Sequence, residues 1–122
     1  MPTVDRFEDL SIWQKARSQA CRVYRVVRES PALTADFGLR DQLQRAAVSV
    51  MNNIAEGFER STDADFARFL DNAKGSNGEV RSMLHLLEVL GFIEAEPAAS
   101  MRAEAEALSR AIGALLNHLR KR

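Results

Sequence analysis

"LRDQLQRAAVSVMNNIAEGFERS", Leu39 to Ser61, decides how the rest of the chain is read. Leu39, Leu43, Ala46, Val50 and Ile54 recur at steps of three or four residues, the spacing that lines one side of an α-helix and forms the seam of a bundle. Val48, Met51 and Ala55 widen that stripe to an arc of roughly 200°, at about 100° per residue. A single packed seam uses little more than about 100°. The excess predicts a cover beyond the helix's nearest neighbours, and Val48, Met51 and Ala55 are the residues expected in an oligomer interface.

The opposite side of the same helix carries Arg45, Ser49, Asn52 and Glu56, with Asn53 near its edge. Amides beside a carboxylate suggest a general base, Glu56, positioned by Asn52 or Asn53. No nucleophile or metal set joins them, and any helix with one polar face gathers such groups. They are therefore read as a solvated or interface face. Gly57 is expected to end the helix or to let the chain turn toward Thr62.

The helical period continues outward in both directions. Ile12, Ala16, Ala20, Val23 and Val27 line a helix from Ser11 to Glu29, stopped by Pro31. "SPALTADFG" reads as a loop with at most a short turn, and the next helix starts after Gly38 and reaches Phe58. Thr62 caps a third helix, with Asp65 as a short version of the capping-box acid. Its seam is Phe66, Leu70, Ala73, Asn77, Val80, Leu84 and Leu87, one member of which is an amide. "GFIEAEP" breaks the chain, and Pro97 suits the first turn of a fourth helix. There Met101, Ala105, Leu108, Ile112, Leu115 and Leu119 form the stripe, ahead of Arg120, Lys121 and Arg122. No alternating strand pattern or duplicated segment interrupts this picture. The prediction is one all-α domain over residues 1–122: an antiparallel, up-down-up-down four-helix bundle with helices near 11–29, 39–58, 63–90 and 97–120.

Composition narrows the function classes. With 17 basic and 17 acidic residues the net charge is zero, so no global field draws the molecule to nucleic acid or anionic membrane, and any attraction must come from a local patch. Cys21 is the sole cysteine, which rules out an intramolecular disulfide and a thiolate metal cluster. "MPTVDRFEDL" has no apolar signal region, and no apolar run approaches the roughly 20 residues of a membrane span. A cytoplasmic protein without a membrane partner is expected.

The remaining motifs offer little chemistry. His85 and His118 lie on different helices, and Glu88 after His85 reverses the Glu-x-x-His order of di-iron bundles. "KGSNG", Lys74 to Gly78, follows no strand and lacks the phosphate-loop order. Its glycines suggest close approach of another backbone or a local bend, and Asn77 a residue that sets register. No catalytic residue, cofactor or metal is expected. Charge is the stronger signal: Lys15, Arg17, Arg22, Arg25 and Arg28 occur with no acid from Ser11 until Glu29, on the side opposite Ala16, Val23 and Val27. They read as a basic stripe for RNA or DNA phosphates, joined by Arg120, Lys121 and Arg122. Trp13 and Tyr24 read as core or interface anchors rather than base-stacking platforms.

"FEDLSIWQKARSQACRVYR", "FGLRDQLQRAAVSVMNNIAEGFER", "FARFLDNAKGS" and "LEVLGFI" together resemble the four-helix bundle proteins encoded within intervening sequences of bacterial 23S ribosomal RNA genes. That superfamily is similar to the accessory variability protein of diversity-generating retroelements. The resemblance is most specific at Asn53-Ile54-Ala55-Glu56-Gly57 and the preceding Arg45-Ala46-Ala47-Val48-Ser49. It implies a cytosolic protomer that assembles into a ring-like homopentamer with no established enzymatic activity. It also implies either nucleic-acid binding or a protein partner such as a reverse transcriptase. Members commonly carry a proline where this chain has Met51, so a continuous helix is expected here. Asn77 and Gly78 stand where relatives place a leucine, which implies a locally looser third helix.

Overall fold

In the computed structural model, which describes residues 4–122, the chain is all-α. A 3-10 turn at Phe7–Asp9 precedes α1 (Ser11–Glu29), α2 (Pro31–Ala35), α3 (Phe37–Phe58), α4 (Asp63–Val89) and α5 (Ala95–Arg120). The inventory is thus five α-helices rather than the expected four, because "SPALTADFG" is helical over most of its length. The local reasons are two caps. Ser30 Oγ accepts from the Leu33 amide at 3.2 Å ahead of Pro31, whose fixed φ suits a first helical position. Asp36 Oδ1 accepts from the Leu39 amide at 3.1 Å, so α3 begins at Phe37 and not after Gly38. Leu33, fully buried, pins the short helix to the core.

The other ends follow ordinary capping chemistry. Thr62 caps α4 by accepting from the Asp65 amide at 3.1 Å. At its far end, Gly91 takes a left-handed φ of 76°, while its amide bonds to Glu88 and the Phe92 amide bonds to Leu87. That is a Schellman closure, and glycine adopts it without steric cost. α5 starts at Ala95, two residues ahead of the expected Pro97, which remains in the first turn.

The four long helices pack in a closed cycle: α1 touches α3 and α5, and α4 touches α3 and α5. α4 and α5 run antiparallel, as ion pairs Asp63–Arg122, Asp71–Arg120 and Glu88–Arg102 follow one another along the pair. α3 passes unbroken through Met51. Gly57 does not end it: the residue is buried inside the helix, where a Cβ would stand 2.7 Å from Phe69 Cβ and 3.0 Å from Phe66 Cδ1. Its role is to let α4 approach. Gly75 and Gly78 show the reverse, since a Cβ at either would meet nothing within 4 Å; no close approach within this chain explains them. On α5, Leu116 rather than Leu115 completes the buried stripe, Leu115 being only half-buried.

The core is divided. One buried cluster joins Ile12, Trp13 and Ala16 to Val50, Ile54, Phe66, Leu70 and Ile112; the other joins Ala20, Val23 and Val27 to Leu43, Val80, Leu84 and Met101. Between them lies a polar layer. Asn77, 1% exposed, donates to the Ala105 carbonyl at 2.7 Å and accepts from Gln19 Nε2 at 3.0 Å, linking α1, α4 and α5. At the same level Ser49 and Ser76 hydrogen-bond at 2.8 Å between α3 and α4. The backbone carbonyl fixes the orientation of Asn77, and Asn77 in turn fixes Gln19, which leaves Gln19 Oε1 buried without a partner among the described residues.

Candidate nucleic-acid interface

α1 presents its apolar residues inward, so its cations face out. Lys15, Arg17, Arg25 and Arg28 are exposed, while Arg22 is half-buried. At about 100° per residue the five span roughly 160° of the helix, too wide for one stripe. They divide into two flanks. On the α5 side, Lys15 borders a groove with Glu104 and Leu108, and Arg22 is ion-paired to Glu104 and donates to Ser100 Oγ at 3.1 Å. On the α3 side, Arg28 borders a groove with Asp41 and Gln44. Arg17 lies over the buried Trp13 ring, 5.0 Å from its centroid. Arg25 projects between the flanks.

Two of the three C-terminal cations are engaged on another seam. Arg120 pairs with Asp71, and Arg122 with Asp63 at 2.8 Å, so both serve the α4–α5 seam; Lys121 is exposed beside them. Among the described residues, Lys15, Arg17, Arg25 and Arg28 have no acidic partner, and neither does Arg45 on α3. Nine of the 17 basic residues do have one, in those same ion pairs. Of the eight left without one, five lie on α1 and its α3 flank and the others, Lys74, Arg110 and Lys121, lie elsewhere, a distribution the zero net charge hides.

The aromatic pair of α1 separates. Trp13 is buried and meets Phe7 edge-on at 5.2 Å, as a core anchor should. Tyr24 is 47% exposed and is not a core residue. Met51 and Ala55, expected in an oligomer interface, are half-buried and pack against the chain's own core; Val48 is half-buried outside both clusters. The excess arc of α3 is thus covered in part from within.

The amide–carboxylate group, Asn52, Asn53 and Glu56, lines one open groove of about 420 Å³. Asn53 donates to the Ser49 carbonyl at 2.8 Å and to Ser49 Oγ at 3.0 Å, Glu56 pairs with Arg60 at 3.1 Å, and Asn52 is exposed. Among the described residues, no set of three or more His, Cys, Asp or Glu side chains is placed to hold a metal, and no helix is long and apolar enough to cross a membrane.

An all-α chain of four long helices in a closed cycle, with exposed cations along α1, defines a small helical protein. The chain belongs to the family of 23S rRNA-intervening sequence proteins, whose profile it matches over residues 8–114. Among solved structures it is similar to a protein of unknown function from the S23 ribosomal protein family of Bacteroides thetaiotaomicron VPI-5482. The two share 22% identity with a TM-score of 0.78, covering 86% of this chain and 97% of the other. At that identity the likeness concerns the fold. No curated protein gives a significant match.

Proposed function

We propose that this protein is a non-enzymatic, cytoplasmic scaffold that associates with RNA or DNA through the outward side of α1. The four long helices act as an antiparallel, up-down-up-down bundle with α2 as a clip between the first two. Copies assemble into a ring-like homo-oligomer, a pentamer by family resemblance, with Val48 at the contact. No cofactor or metal takes part. One observation carries the reading: Lys15, Arg17, Arg25 and Arg28 are exposed and unpaired by acids among the described residues, whereas Arg22, Arg120 and Arg122 are engaged. Repetition of that patch around a ring multiplies a modest affinity wherever one strand reaches several copies.

The test is binding of a structured RNA by fluorescence anisotropy across a salt series. Affinity should fall linearly on logarithmic axes with salt, and Arg25→Glu with Arg28→Glu should weaken it severalfold. Salt-insensitive binding, or indifference to both reversals, removes the reading. A second reading, a scaffold for a protein partner, draws support from exposed apolar side chains: Phe37 at 65% and Val89 at 84%, with Leu86 and Leu90 near the end of α4. It takes the scaffold to hold its partner without direct nucleic-acid binding, and predicts no salt-sensitive RNA binding together with partner capture that Val89→Glu abolishes.

A further inference from the structure

Tyr24 stands exposed midway along α1, with Arg17 seven residues before it and Arg28 four after. At about 100° per residue these three fall within roughly 40° of one another. Tyr24 also lines an open groove of about 360 Å³ on the α3 flank, which Val48 does not line. Gln44 supplies an amide edge there, and Arg28 and Arg40 supply guanidinium groups. The carboxylate at its margin, Asp41, is engaged by Arg40 at 3.7 Å. What remains unmatched is a phenol face, an amide edge and the positive charge of Arg28.

We infer that this flank is a stacking site for an unpaired nucleotide, so that the nucleic acid held by α1 is single-stranded where it crosses Tyr24. The inference rests on the proposed nucleic-acid reading and deepens it. Aromatic faces stack on any base, amides read a base edge, and guanidinium groups take the flanking phosphates. A continuous duplex keeps its base faces in its own stack and has nothing to offer the ring. RNA and DNA share the base face and differ at the 2′-hydroxyl, so the site's chemistry accepts both.

The test uses the full chain with a labelled single-stranded RNA, the DNA of the same sequence and the fully paired duplex, each across a salt series. Both single strands should bind more tightly than the duplex. Tyr24→Ala should weaken both single strands between about 5- and 100-fold, leaving duplex affinity and the salt slope unchanged. Tyr24→Phe, which keeps the ring, should bind like the wild type, and Arg28→Gln should lower the slope by about one. Circular dichroism checks that the variants keep the wild-type helix content. If Tyr24→Ala binds single strands as the wild type does while salt-dependent binding persists, the stacking site is overturned and the electrostatic role of α1 stands. Tighter binding of the duplex also overturns it. Absence of binding to all three probes removes both readings together.

Discussion

A methyl group added at position 57 would press to 2.7 Å from the Cβ of Phe69, whereas one added at 75 or 78 would meet no neighbour. Glycines of one chain therefore have opposite roles, and substitution separates them. Gly57→Ala should destabilise the protein by about 1–3 kcal/mol through overpacking. Gly75→Ala and Gly78→Ala should each stabilise it by up to about 1 kcal/mol, because an exposed helical glycine wastes backbone entropy. Urea denaturation of the three variants checks both signs. Helix propensity alone reads every glycine as a breaker, which is how Gly57 came to be expected at a helix end. Its position three residues after Ile54 and seven after Val50 already placed it on the inward arc. Tyr24 is the converse: its sequence position borders the apolar side, and only the packing of α3 against α1 reveals that its ring is left outside.

At the level of elements, periodicity located all four long helices with ends within about two residues, because inward faces repeat faithfully over five or more turns. α2 was missed because five residues are too few to display a period. Its signals were local, a Ser-Pro start and an Asp cap, and these compete with the turn propensity of the same residues. Thr62→Ala should lower stability by about 1 kcal/mol by removing the α4 cap, measured by thermal unfolding. The amide layer of α1, α4 and α5 makes a sharper case. Asn77 on an apolar seam was legible; its partner Gln19 was not, because it sits at the margin of the α1 stripe. Asn77→Ala should cost about 1–3 kcal/mol by stranding the Ala105 carbonyl and the Gln19 amide. Replacing both amides by leucine should recover much of that loss, since two apolar partners leave less to satisfy; a double-mutant cycle in urea reads the coupling.

For the whole molecule, the fold class was open to sequence reading and the distribution of free charge was not. Net charge sums over residues, while ion pairing depends on which helices are neighbours: the α4–α5 seam removes Arg120 and Arg122 from the unpaired set, and Glu104 of α5 removes Arg22. Met51 and Ala55 of the wide α3 arc are half-buried against the chain's own core, and the rest of that arc is what a second copy would cover. Light scattering tests assembly directly. The proposed ring requires a mass near five times the 13.6 kDa of one chain, and a 13.6 kDa species at micromolar concentration would dismiss it. Val48→Glu should reduce the mass without unfolding the protomer, whereas Met51→Glu should do both.

The tier of amides across the middle has a consequence for how such a chain tolerates change. Oily side chains on one side of it seldom touch those on the other, so a volume error made near Trp13 is not felt near Met101. Truncations such as Leu70→Ala and Leu43→Ala should then have losses that simply sum, to within about 0.5 kcal/mol. A lineage carrying this partition can remodel either compartment while the other keeps the helices in register, as two rooms under one roof can be refurnished in turn.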